Sequence, residues 1–177
     1  MHTFTVIILF MTLWSILPIS SARAQFIHFS MKVEPELSSN TIQNLSFGTL
    51  TPGSGIKRIE KGSHRMGILE IRALANQYLF VTLNAPKNLT RSHPGSNSQI
   101  PISLQASYNT SGNNDIHTAR PFSGQTAWFR IGDTTTSTPD ARTGWESAFI
   151  YIYGDMRIGD VPEGLYTAVL VLNIEYL

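Results

Sequence analysis

Apolar side chains recur at every second residue through most of this chain, and beyond residue 24 no stretch sustains a capped helical period. A period of two belongs to a strand that faces an interior on one side and water on the other. Ile27, Phe29, Met31 and Val33 alternate with His28, Ser30, Lys32 and Glu34, and Pro35 closes that strand. Leu45 and Phe47 predict a short strand ahead of Gly48, followed by a turn at Thr51-Pro52-Gly53-Ser54-Gly55. Leu69, Ile71 and Ala73 alternate with Glu70 and Arg72, and Ile102, Leu104, Ala106 and Tyr108 alternate with Ser103, Gln105 and Ser107. Residues 78–83 are nearly all apolar, which suits a central strand, and residues 127–131 and 148–153 predict two more. In the last segment Tyr166, Ala168, Leu170, Leu172, Ile174 and Tyr176 share one face. Val169 and Val171 make part of the opposite face apolar too, so cover on both sides is expected there.

The stretches 90–99, 109–115 and 132–143 are rich in Gly, Ser, Thr, Asn and Pro and read as long surface loops. Seven or more short strands separated by such loops predict an all-β chain built as an antiparallel β-sandwich. A length of 177 residues fits one domain with a core that needs no metal or disulfide.

The first 24 residues have the pattern of a secretory leader. Residues 6–11 with Leu13 and Trp14 are apolar, Pro18 interrupts the run, and Ala22-Arg23-Ala24 is an A-x-A cleavage site. The n-region carries His2 but no Lys or Arg, so an uncleaved N-terminal anchor is the alternative. The apolar run is short for a spanning helix and no second such run follows, so no stable membrane anchor is expected after cleavage. The expected organisation is a leader over residues 1–24 and one folded domain over residues 25–177. Arg23 is the only charged residue in the leader. The remainder therefore carries 12 Lys plus Arg, from 13 less one, against 12 Asp plus Glu. That neutral balance excludes the broad basic field of a general nucleic-acid binder.

The chain has no cysteine, which removes disulfides, thiolate metal sites, a cysteine nucleophile and a lipid-modified N-terminus. The histidines are scattered and none lies in an H-E-x-x-H or H-x-H arrangement, so no metal or other cofactor is expected. Asp155 and Asp160 flank the Gly-containing stretch 154–159 and read as turn-forming residues rather than calcium ligands. No G-x-S-x-G elbow occurs, and the chain is expected not to be an enzyme. Asn44, Asn88 and Asn109 head formal glycosylation acceptors, of meaning only in a eukaryotic source. Among the late aromatics Trp128, Trp145, Phe149, Tyr151 and Tyr153, the last three share a strand period and are expected in the core. Trp145, beside Gly144 at a loop end, is the candidate for contact with a glycan.

Leu45-Ser46-Phe47-Gly48-Thr49 with its Pro-Gly turn resembles the opening of secreted bacterial pilin-like domains. The closing Gly164-Leu165-Tyr166-Thr167, leading to Tyr176-Leu177, is similar to their final strand. The phrase at residues 102–109 and the expected turn Tyr153-Gly154-Asp155-Met156 fit as well. The nearest likeness is to an uncharacterised bacterial family, domain of unknown function 4402, similar in look to spore-coat-U-type and fimbrial subunits. The resemblance implies an incomplete immunoglobulin-like sandwich, exported to the periplasm or cell surface, with a periplasmic chaperone and other subunits as partners. It also implies a groove beside the final strand that an added strand fills, by main-chain hydrogen bonding and side chains set into pockets.

On that reading Gly164 and Tyr166 begin the final strand, Leu170, Leu172 and Ile174 line the groove or core, and Tyr176 anchors the terminus. Ile27, Phe29, Met31 and Val33 form the strand that is either kept or donated. Polymerising fimbrial subunits have a donor extension in addition to a first strand, whereas a single strand fits between Ala24 and Leu45 here. A kept strand, in a terminal, accessory or non-polymerising subunit, is the expected arrangement. A carbohydrate-binding or adhesin module using exposed aromatics is the alternative.

Overall fold

The structure, a computed structural model, describes residues 37–93, 95, 97–132 and 144–177. Residues 1–24, expected to be a leader, and the alternating residues Ile27, Phe29, Met31 and Val33 lie outside the described residues, as do positions 133–143 of one expected loop. Among the described residues there is no helix, and therefore none long and apolar enough to cross a membrane.

The strands are β1 (Ser38–Gln43), β2 (Gly55–Ile59), β3 (Gly67–Leu74), β4 (Tyr78–Asn84), β5 (Asn88–Arg91) and β6 (Gln99–Asn109). They continue with β7 (Arg120–Pro121), β8 (Thr126–Arg130), β9 (Trp145–Ile158), β10 (Tyr166–Thr167) and β11 (Val171–Tyr176). All pairings are antiparallel and fall into two sheets. The larger has the order β1-β3-β9-β6-β5-β10, with β2 added on β9 and β7 on β6; the smaller has the order β11-β4-β8. The larger sheet is curled, and β9 is the reason it can be. Its first half pairs with β3, from Leu74↔Trp145 to Gly67↔Ile152, and its second half with β2, from Ile59↔Gly154 to Gly55↔Ile158. The partner changes beside Gly154, where the backbone adopts a φ of 150°. This bend point belongs to the strand, so the turn expected at residues 153–156 is corrected. Asp155 does not form a turn either. Its carboxylate accepts a hydrogen bond from Arg58 Nε at 2.6 Å across the β2–β9 pair. That guanidinium holds the Asp155 carboxyl below the usual carboxylate range, and solvent keeps the energetic effect small.

The main core lies between the sheets. Ile71, Leu79, Val81, Leu83, Ile131 and Ile150 are each 1% exposed or less, and they come from the inward positions of β3, β4 and β9 and the end of β8. β4 is the central strand of the small sheet, as its apolar run implied. A second cluster covers the outer face of the larger sheet, where Phe149 and Tyr151 pack with Ile59, Met66, Ile68 and Ala119, and Tyr153 lies against its rim. Asn109 fixes the loop that contributes Ala119. Its Nδ2 donates to the Asp115 carbonyl at 2.6 Å and to Thr118 Oγ1 at 2.9 Å, while its Oδ1 accepts from the Ser111 amide at 2.7 Å. Buried and committed in this way, Asn109 is not a glycan acceptor.

Two strand expectations are corrected. Leu45 and Phe47 lie in no strand; the strand is β1, immediately before them, and both side chains pack half-buried against the core clusters. The final segment is not one strand. β10 pairs with β5 in the larger sheet, residues 168–170 cross the gap, and β11 pairs with β4 in the smaller one. Val169 and Val171 are not covered on their outer side: they are 80% and 45% exposed.

Tyr151 gives a pH test of the second cluster. Its side chain is fully buried, its hydroxyl has no hydrogen-bond partner among the described residues, and burial pushes its pKa up to about 12, with Asp115 adding to the shift. Below the ordinary tyrosine value of about 10 the group is neutral in both folded and unfolded chains. As pH rises from there towards about 12 the unfolded chain ionises first, so stability falls, by about 2–3 kcal/mol in full. Tyr151→Phe keeps the packing and removes an unpaired polar group. Urea unfolding of the two proteins between pH 9 and 12 should therefore show the wild type losing more stability than the variant.

Candidate functional site

The small sheet is too narrow to cover the large one. β11 pairs with β4 through Val171↔Asn84 to Tyr176↔Leu79, and its other edge has no strand partner among the described residues. Opposite it, β1 is the outermost strand of the larger sheet among the described residues. Between the β1 side and the β10–β11 crossing lies a groove of about 940 Å³, floored by Leu104, Ile152 and Met156 of the larger sheet. Leu45 and Phe47 line one wall, and Tyr166 and Leu170 the other.

The burial pattern marks where cover is missing. The inward side chains of β4, namely Leu79, Val81 and Leu83, are 0% exposed. Leu172, Ile174 and Tyr176 of β11 point into the same core yet remain half-buried, as do Leu170, Leu45, Leu69 and Leu104. A strand inside a sheet has neighbours on both sides that shield its inward side chains; a strand at an edge has only one. Among the described residues the groove carries one carboxylate, Glu163, in its wall and no histidine, lysine or arginine. Its described lining is mainly apolar, with Leu45, Phe47, Leu104, Ile152 and Met156, and polar groups come from Thr41, Gln43 and Glu163.

Local sequence builds the far wall. Gly164 sits at a φ of 154°, and a Cβ there would lie 2.6 Å from Arg91 Nε, so only glycine lets the guanidinium pass against the chain and donate to the Glu163 carbonyl. The Ser92 amide then donates to the Leu165 carbonyl at 2.7 Å, and Tyr166 faces Arg91 in the β5–β10 pair. The Tyr166 hydroxyl donates to the Pro162 carbonyl at 2.8 Å and lies 3.0 Å from Ser98 Oγ. Burial raises the Tyr176 pKa at the other end of the segment.

The residues expected at the final strand are thus brought together with a division of roles. Gly164 and Tyr166 hold the wall in the larger sheet, and Leu170, Leu172, Ile174 and Tyr176 line the open side of the core. Leu45, Leu69 and Leu104 complete the groove and had no signal of their own, because their alternation matches that of any half-buried strand. Trp145 opens β9, pairs with Leu74 and is half-buried. The exposed one is Trp128, 58% accessible on the outer face of the small sheet, its ring stacked on Tyr78 with centroids 5.0 Å apart and planes 13° from parallel. Of the histidines, His64, His93 and His117 are exposed, and among the described residues no group of His, Asp and Glu could hold a metal ion.

No family model matches the chain and no curated protein matches it, so the geometry carries the functional argument.

Proposed function

We propose that this chain is a non-enzymatic, exported structural subunit of the pilin-like kind, an immunoglobulin-like sandwich lacking its last strand. The observation that carries the reading is that β11 has one strand partner, β4, among the described residues, while its inward side chains Leu172 and Ile174 stay half-buried against the core. The strand orders support it. In an immunoglobulin sandwich of the constant type one sheet runs A-B-E-D and the other C-F-G. Here β1-β3-β9-β6 follow the first order in the right chain sequence, and β4 with β11 takes the places of C and F. The place of G, beside F, is the free edge of β11. β8, on the far side of β4, is an addition to that scheme.

Such a groove accepts a strand. Backbone pairing to β11 supplies affinity, and alternate side chains enter the apolar space between the sheets. A periplasmic chaperone, another subunit and the chain's own alternating residues are the sources the proposal admits. The test is expression with the native leader in a Gram-negative host. We expect protein cleaved after Ala24 in the periplasmic or surface fraction and associated with subunits or a chaperone; intact chain retained in the cytoplasm would overturn the proposal.

A second reading, an adhesin module, is favoured by Trp128 alone, since it leaves a large aromatic ring open to solvent. Glycan-array binding that is lost in Trp128→Ala and kept in Trp145→Ala is the result that reading requires.

A further inference from the structure

We propose that a polar pocket at the end of β6 is a binding site for a single neutral sugar unit. Neither the groove beside β11 nor Trp128 contributes to this pocket, so it stands apart from both readings above.

The pocket has a volume of about 360 Å³, towards the lower end of the roughly 300–1,000 Å³ usual for small-molecule sites. It lies where β6 ends at Asn109 and the chain loops round to rejoin the larger sheet at β7, with Arg120 opposite Tyr108. The loop is held in shape by its own side chains. Asn109 ties Ser111, Asp115 and Thr118 together. Asp115 accepts from the His117 amide at 2.9 Å and from Thr118 Oγ1 at 3.2 Å. The Tyr108 ring is fixed as well, stacked on Phe129 with centroids 4.6 Å apart and set edge-on to Phe122.

What the pocket leaves unused points to its ligand. The side chains of Tyr108, Thr110, Ser111 and Asn113 line it and make no hydrogen bond among the described residues. Thr110 decides the matter. The residue is only 7% exposed, and its hydroxyl has no partner. Valine has nearly the same shape and would fill the position without the cost of removing a hydroxyl from water. A ligand that supplies the missing hydrogen bond accounts for the threonine.

The class of ligand follows from the lining. Its hydroxyls and its primary amide each donate and accept. Asp115 and Arg120 add one charge of each sign, so the lining has no excess charge with which to select an ion. An apolar ligand would strand these polar groups without partners. A sugar ring is uncharged, and its hydroxyls donate and accept in several directions at once. A pocket near the small end of the range suits one such unit rather than a chain.

The test is a heteronuclear NMR titration of the wild-type chain with the methyl glycosides of mannose, glucose, galactose, N-acetylglucosamine and fucose. We expect at least one glycoside to shift the amide signals of residues 110–118 saturably and to leave those around Trp128 in place. Asn113→Ala, at an exposed position, and Thr110→Val should each weaken that binding by roughly tenfold, the loss of about one hydrogen bond. Both variants should melt no lower than the wild type. Saturable shifts confined to the surroundings of Trp128 and Tyr78 would overturn this site and move the ligand to the outer face of the small sheet. Equal affinity for glycerol would overturn the choice of a sugar, as would the absence of any shift with every glycoside. Binding unchanged in both variants would overturn the role given to the unpartnered side chains.

Discussion

Gly154→Ala should cost about 3–5 kcal/mol and lower the melting temperature by roughly 10 °C or more. A Cβ at this position would sit 2.1 Å from the Ser103 carbonyl oxygen and 3.0 Å from Leu104 Cα. Both obstacles are backbone of β6, hydrogen-bonded to β9 through Leu104↔Gly154 and Ser103↔Asp155, so neither can swing aside as a side chain would. Relief requires separating two strands paired from Ile102↔Met156 to Asn109↔Phe149, or flattening the bend at which β9 exchanges β3 for β2. The φ of 150° adds strain for any residue with a Cβ. Gly124→Ala is the control. It also has a positive φ, 64°, but a Cβ there meets nothing within 4 Å, so its cost should stay near about 1 kcal/mol. Thermal and urea unfolding separate the two. Equal melting temperatures for the two variants would mean that close approach of β6 does not hold the curl.

Deleting residues 25–35 should have the larger effect on the protein as a whole. Under the proposed function that segment is the kept strand of the sandwich, and its removal is expected to leave the half-buried faces of Leu170, Leu172 and Ile174 open to water. Full burial of one large aliphatic or aromatic side chain contributes roughly 1.5–3 kcal/mol, and Ile27, Phe29, Met31 and Val33 would all be lost. Against a typical stability of about 5–15 kcal/mol that is enough to leave the truncated chain unfolded or aggregated at 37 °C. The free edge of β11 makes aggregation the expected form of failure, and a neutral net charge provides little repulsion to oppose it. A synthetic peptide of residues 25–36 added during refolding should restore a soluble monomer with a cooperative melt. A truncated chain that remains monomeric and melts at the wild-type temperature would show that the half-covered core needs no strand.

Which parts of this fold could be read from the chain, and which could not, follows a physical division. A nearly continuous apolar run located the central strand at residues 78–83, and period-two alternation located the long inward series of β6 and the inward residues of β9 and β11. It did so because a side chain's distance from water is a local property that hydrophobicity records at each position. The same signal misplaced the strand near residue 45. β1 is polar and exposed at nearly every position, and Leu45 and Phe47 are apolar because the core clusters need them, without any ladder.

The break at residues 168–170 was invisible for a related reason. Both sheets enclose one interior, so Tyr166 in the larger sheet and Leu172 in the smaller keep the same parity although they pair with different strands. The glycines tell the same story in reverse. Gly154 reads as a turn residue and Gly164 as the start of the final strand; only the structure shows the backbone of Ser103 where a Cβ on Gly154 would sit and the Arg91 side chain close against Gly164. Inside and outside were therefore determined by the sequence alone. Which strand lies beside which, and that β11 has β4 as its one partner among the described residues, was decided only by the tertiary structure, because pairing joins residues far apart in the chain and leaves no periodic trace in either of them.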